Sequence, residues 1–435
     1  MFNVRIFFTF FILGLAPIGQ AAGLLDLYSE AMESDPRLIS AQAEVSVGKA
    51  QKRQSLASLL PQASLDSSIS KNRYDSGTEK TQHYVGKRHI LSLTQPVYNR
   101  ELWLDNKIFA VRFKQKQAEL NEIKSSVGLD LTRRYIEVLS TENALTLIKA
   151  EKESTRIQLD LLTTRLKRQL AVKTDVLDVE ARLQSIKVDE ITSENDVLIA
   201  RESLTELVDR VVDEPLNDFS DNIYYQPTKT LDEWVQYSLK HNDYLLSFDQ
   251  GVTVAISSLK KKKASHLPSL SLQLSAQRSN IGFENAPSSD TDSLAATLRL
   301  NVPIYSGGAI KAGESEQRAR ITIARQKLER YKRQLVKSVR AAYLNSDASW
   351  RRIDASLQAV DAATRAHQAM EKGFNYGTVT VVDVLNALNK KLQALLDFKR
   401  SQYDFVLSHI ELQQLAGSLN YETMQEASTW QVIQD

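Results

Sequence analysis

Leu267-Pro268-Ser269-Leu270-Ser271-Leu272 has an earlier copy in the same chain, Leu60-Pro61-Gln62-Ala63-Ser64-Leu65. The offset of 207 (267 minus 60) also carries Leu91, Leu93, Pro96 and Tyr98 onto Leu298, Leu300, Pro303 and Tyr305, and Leu38 and Val47 onto Leu245 and Val254. Farther along the offset becomes 208, matching Tyr135 to Tyr343 and Asp175 to Asp383, each aspartate followed by Val-Leu. A period close to half the chain marks a duplicated architecture rather than a small-repeat solenoid.

Working outward from the Leu-Pro copies, the apolar period is two. Ala63, Leu65, Ser67 and Ile69 alternate with Ser64, Asp66, Ser68 and Ser70, and Leu270, Leu272, Leu274 and Ala276 alternate with polar neighbours. The return strands do the same, so each copy predicts a β-hairpin, over 62–98 and 269–305, with polar tips near 75–81 and 282–292. Strands of about ten residues that are apolar on one side and polar on the other are what a membrane β-barrel requires. Four strands cannot close one, because about eight is the lower limit. The chain must therefore pool strands with other copies, giving eight in a dimer or twelve in a trimer.

After each hairpin comes a region without proline, 97–214 and 304–435, rich in Leu, Ala, Glu, Lys, Gln and Arg. Proline costs about 3 kcal/mol inside a helix, so its absence leaves both regions free to be continuous helix. Each is interrupted once by a turn. Gly373, Gly377 and Thr378 break the second, after which Val381, Leu385, Leu388, Leu392 and Leu395 recur at 4, 3, 4, 3; the first turns near Gln169 to Thr174. The reading is two long helical hairpins, with arms over 106–170 and 174–210 and over 312–372 and 381–415. Shorter helices, 24–58 and 231–264, precede the strands. In domain terms this makes 22–207 a first repeat with its helical hairpin at 106–207, 208–230 a linker, 231–416 a second repeat with its helical hairpin at 312–416, and 417–435 a tail.

Residues 1–21 read as a secretory signal, with Arg5 before an apolar core and Gly19-Gln20-Ala21 at the cleavage point. No later stretch supplies the roughly 18 to 20 apolar residues of a spanning helix, so any membrane crossing must use strands. The absence of cysteine rules out disulfides, Cys-zinc sites and thiol catalysis together. A formal net charge of +2 selects no partner and does not suggest nucleic acid. The one basic run, Lys260 to Lys263, stands just before the second Leu-Pro copy and reads as a solvated or interfacial charge cluster. His83, His89, His241, His266, His367 and His409 show no metal-ligand spacing. No catalytic constellation, cofactor motif or metal site emerges.

The paired Leu-Pro strand starts, the strand ends Gln95-Pro96-Val97-Tyr98 and Val302-Pro303-Ile304-Tyr305-Ser306-Gly307-Gly308, and the turn from Gly377 to Leu385 together resemble the TolC family of outer membrane channels. The resemblance covers essentially the whole chain after the signal. It implies a homotrimer, with a 12-stranded barrel in the outer membrane lipid continuing into a periplasmic tunnel of helices. It implies a partner adaptor protein and an inner-membrane transporter, ABC-type or proton-driven, in type I secretion or multidrug efflux. The middle of the tunnel would carry a small mixed region, from 208–230 and the tail. The rival reading is a periplasmic coiled-coil adaptor, which should show one helical hairpin between split β-domains rather than two hairpins and four strands.

By the same resemblance, Asp383 matches an aspartate ring at the tunnel entrance and Asp175 an aspartate that helps to hold the entrance shut. The family pattern has an arginine where this chain has Val379, a tyrosine where it has Phe374, and a second ring aspartate where it has Asn386. The ring is kept and the polar lock is lost. Closure is therefore expected to rest on apolar packing or on a basic residue elsewhere, such as Lys173. Three Asp383 carboxylates about one axis would repel one another, raising the pKa of some and inviting a multivalent cation. Without such a ring, Asp383 is simply an acid favoured at a helix N-terminus.

Overall fold

The computed structural model describes residues 21–432 except 76, 78, 79, 222, 224 and 226–228, so the signal segment lies outside the described residues apart from Ala21. The chain forms two compact units that interleave along the sequence. Each takes corresponding parts of both repeats: of the described residues, one holds those within 36–124 and 236–338, the other those within 21–35, 125–235 and 339–432.

The first of these units contains the strands. Helix α2 (Pro36–Ala57) leads into β1 (Gln62–Tyr74) and β2 (Gln82–Tyr98), and α6 (Asp243–Ala264) leads into β3 (Ser269–Ile281) and β4 (Pro287–Asn301). The four strands form one antiparallel sheet in the order β1-β2-β3-β4, leaving β1 and β4 at its edges. Register aligns the apolar alternation across the sheet: Leu65 faces Leu91, Leu91 faces Ala276, and Ala276 faces Leu294. Leu65 and Leu294 are 70% and 87% exposed, so this apolar face has no covering among the described residues.

Strand β4 ends at Asn301 rather than at residue 305. Its partner β3 begins at Ser269, which pairs with Asn301, so Pro303 to Tyr305 have no strand to bond; Tyr98 in the first copy still pairs with Leu270. The second tip is also tighter than expected. Gly282 N donates to Ala286 O (2.8 Å), and pairing resumes at Pro287, which places Ser288 to Asp292 in the strand.

Helix α3 (Arg100–Lys167) and helix α7 (Ala309–Asn375) are uninterrupted over 68 and 67 residues. At 1.5 Å per residue each is about 100 Å long. Both begin earlier than proline and glycine placement alone suggested. Asn99 caps α3 by accepting from the backbone N–H of Glu101 and Leu102 (3.0 and 3.2 Å), so the helix begins at Arg100 rather than 106. Helix α7 begins at Ala309 rather than 312, directly after Gly307 and Gly308, both at positive φ (61° and 82°), a conformation glycine adopts without a Cβ penalty.

The second unit holds α1 (Leu24–Ser34), the rest of α3, α4 (Lys173–Val208), the start of α5 (Leu231–His241), the rest of α7, α8 (Val381–Ala416) and α9 (Tyr421–Ser428). Its core buries Leu24, Leu27, Leu131, Tyr135, Phe219, Phe405 and Ile410. Asn217 and Phe219, from the 208–230 segment, meet the tail in this core. Phe219 bridges to Gln431, the Tyr135 hydroxyl donates to Asn217 O (2.7 Å), and Gln431 Nε2 donates back to that hydroxyl (2.8 Å).

Candidate functional site in the two helical turns

The turns joining α3 to α4 and α7 to α8 are copies at offset 208, and their backbones close the same way. Leu170 N donates to Arg165 O and Thr378 N to Gly373 O, both at 2.9 Å, while Gln169 N and Gly377 N donate to Leu166 O and Phe374 O. Gln169 and Gly377 both take the left-handed conformation (φ 58° and 75°) that ends a helix in this motif. Glycine does so freely; the first turn holds a glutamine there.

The copies diverge where each following helix begins. Thr380 and Asp383 form a reciprocal cap on α8. Asp383 Oδ2 accepts from Thr380 N and Oγ1 (2.9 and 2.7 Å), and Thr380 Oγ1 accepts from Asp383 N (3.2 Å). The hydrogen bonds from Thr380 hold the Asp383 carboxyl below the usual carboxylate range. Within one chain this opposes the upward shift expected from repulsion between copies. At the matching place Val172 has no side-chain oxygen and makes no cap, so Asp175, half-buried in the first turn of α4, lacks the partner that Asp383 has.

Behind these capping groups the turns share one apolar cluster. Leu162 and Val179 of the first hairpin pack with Phe374, Val381, Val384, Leu385, Leu388 and Leu392 of the second, and Val379, Ala171 and Val176 lie at the cluster's margin. Val379, in the arginine position of the family pattern, is thus part of the packing. Asn386 is exposed, on the same side of α8 as Asp383. Asp175 makes no ion pair among the described residues.

The basic residue at this cluster is Arg165, not Lys173. Its guanidinium lies over the Phe374 ring, 4.4 Å from the centroid, whereas Lys173 is exposed. Phe374 itself is only 8% exposed. The sequence reading missed this contact because a cation over a ring leaves no spacing signature. It also placed Asp383 without its cap, although Thr380-x-x-Asp383 is a capping pattern on its face.

The outer membrane efflux protein family model matches residues 27–209 and 234–418, one stretch in each repeat. The chain belongs to this family. Among its relatives is the outer membrane protein TolC of Vibrio cholerae serotype O1, 27% identical over 412 residues that cover 94% of this chain and 93% of the relative. Another is the alkaline protease secretion protein AprF of Pseudomonas aeruginosa, 25% identical over 424 residues and 94% of this chain and 87% of that one. A solved structure of CusC superposes with a TM-score of 0.81 at 14% identity, covering 92% of this chain and 93% of its own.

As an outer membrane efflux protein, the chain is a channel component of the outer membrane reaching into the periplasm, not an enzyme. Its fold is that of the channel-tunnels: long duplicated helical hairpins and four strands per chain for a shared trimeric barrel, three times four making twelve. The family match also displaces the adaptor reading.

Proposed function

We propose that the chain, as a homotrimer, is a passive export duct gated at its two helical turns. It carries proteins or small molecules delivered by an inner-membrane transporter and a periplasmic adaptor, in type I secretion or multidrug efflux. The observation that carries the gate is the apolar cluster drawing Leu162 and Val179 against Phe374, Val381 and Leu385, in a position where the family pattern has polar groups. Burial is not directional and is little affected by ionic strength, so this entrance rests on packing rather than on a charged lock.

Asp383 is the gate's anionic element and Asp175 its weaker counterpart, with Phe374 and Val379 packed behind them and Asn386 beside Asp383 on the open side. Within one chain the described residues hold no cluster of three or more metal-ligating groups, so a cation at Asp383 needs carboxylates from several copies. The test is conductance in a planar bilayer. Trivalent cations added from the periplasmic side block the wild-type channel, Asp383→Ala removes the block, and raising salt opens the resting channel little. Block that persists unchanged in Asp383→Ala would show that the carboxylates do not line the constriction.

A further inference from the structure

The run Lys260 to Lys263 is not used by the gate, and it lies at the foot of the sheet. These lysines are in the last two turns of α6, directly before Leu267-Pro268 and β3. The dipole of α6 explains part of such a run, but a helix C-terminus carries only about half a negative charge. Four lysines exceed it.

Beside the run is a cavity of about 610 Å³ between the first turns of α3, the last turns of α6 and the early turns of α7. Arg112, Lys261, Lys262 and Arg320 line it, with Glu101 and Asp105 as the acids. Asp105 takes Lys261 (2.6 Å) and Glu316 takes Arg320 (2.6 Å). Arg112 and Lys262 make no ion pair among the described residues, and Glu101 alone opposes them. Lys262 is half-buried, and its stem crosses Gly313: a Cβ there would meet Lys262 Cε at 2.2 Å. The absent side chain at 313 makes the path by which this ammonium enters the cavity.

The cavity's level is set by the strand ends. Tyr98, Trp103 and Tyr305 are 47%, 52% and 87% exposed at the sheet's foot, and Arg100 stacks on Trp103 (4.5 Å). Exposed aromatics below an apolar strand face mark a membrane–water interface. We infer that the Lys262–Arg112 cavity binds the headgroup of an anionic phospholipid in the periplasm-facing leaflet, its phosphate meeting Lys262 and Arg112 while its acyl chains lie along the sheet. These two cations have no carboxylate partner among the described residues, although Arg112 lies over the Phe109 ring (5.2 Å).

The test is native mass spectrometry of the detergent-purified, delipidated channel incubated with phosphatidylglycerol, phosphatidylcholine or inorganic phosphate. Wild type retains phosphatidylglycerol in preference to phosphatidylcholine. Lys262→Gln and Arg112→Gln each lower that retention about fivefold, the weight of one cation at an anionic lipid surface. Gly313→Ala lowers it as well by displacing Lys262, whereas Lys263→Gln, exposed and outside the cavity, leaves it unchanged. If Lys262→Gln fails to assemble, Gly313→Ala and Arg112→Gln decide the matter. Equal losses from Lys262→Gln and Lys263→Gln would reduce the site to general surface charge, and equal retention of the two lipids would overturn it. Displacement of bound lipid by inorganic phosphate would make it a free-anion site instead.

Discussion

Arg165 and Phe374 show what one contact contributes to the turns. A cation over an aromatic ring contributes about 0.5 to 2 kcal/mol, rising as the pair is desolvated, and Phe374 is nearly buried here. Phe374→Leu preserves most of the apolar volume and removes the ring, while Arg165→Gln removes the charge. Each is expected to raise the open fraction of the resting channel about 2- to 30-fold. The double variant should open no further than the larger single effect, which single-channel recording in a double-mutant cycle would show; fully additive effects would mean the two side chains act separately. Thr380 makes a second residue-scale case. Thr380→Val removes both side-chain hydroxyl bonds of the Asp383 cap, leaving the carboxyl less strongly held in its ionised form. Because bonds that lower a carboxyl pKa keep it charged to more acid pH, trivalent-cation block should fade at higher pH in Thr380→Val than in wild type.

At the scale of the element, continuity and buried polarity are what can fail. Helix α3 is unbroken over 68 residues, and Leu145 lies well inside it. Leu145→Pro deletes an interior hydrogen bond and clashes with the preceding turn, at about 3 kcal/mol or more, and should abolish trimer formation on size exclusion. Helix α8 carries the other weak point. His409 is packed against Tyr225, Phe405 and Trp430, and its Nδ1 has no hydrogen-bond partner among the described residues. Burial lowers its pKa from 6.5 to about 4. The unfolded chain therefore binds the proton more readily, and stability falls as pH drops from about 6.5 to about 4, by roughly 3 kcal/mol in all. Urea midpoints followed by tryptophan fluorescence should show this loss in wild type and a smaller one in His409→Leu.

At the scale of the whole molecule, the sheet decides assembly. Strands β1 and β4 end the sheet with unpaired edges, and the face bearing Leu65, Leu91 and Leu294 is exposed in the single chain. Open edges with an apolar face are an aggregation hazard unless other strands cover them. Three chains of four strands give a closed barrel, so mass measurement in detergent should find three chains per particle, and a stable monomer with a closed barrel would refute this.

The sequence by itself determined the duplication, the class of each element and the order in which they come. Leu60-Pro61 and Leu267-Pro268 mark the strand starts, period-two alternation marks the strands, and the proline-free stretches mark α3 and α7, because these are local properties of backbone and burial. Boundaries were less legible where they depended on a partner. Asn99 capped α3 six residues before the expected start, and β4 stopped at Asn301 because β3 had run out. The Thr380–Asp383 cap, and its loss at Val172, were written in the local sequence, but only the tertiary structure decided that Arg165 lies over Phe374 and that Gly313 admits Lys262 to a cavity. Both of these last are contacts between residues far apart in the chain. Sequence spacing can place such residues on a helix or at a turn, but which side chain meets which is settled by packing.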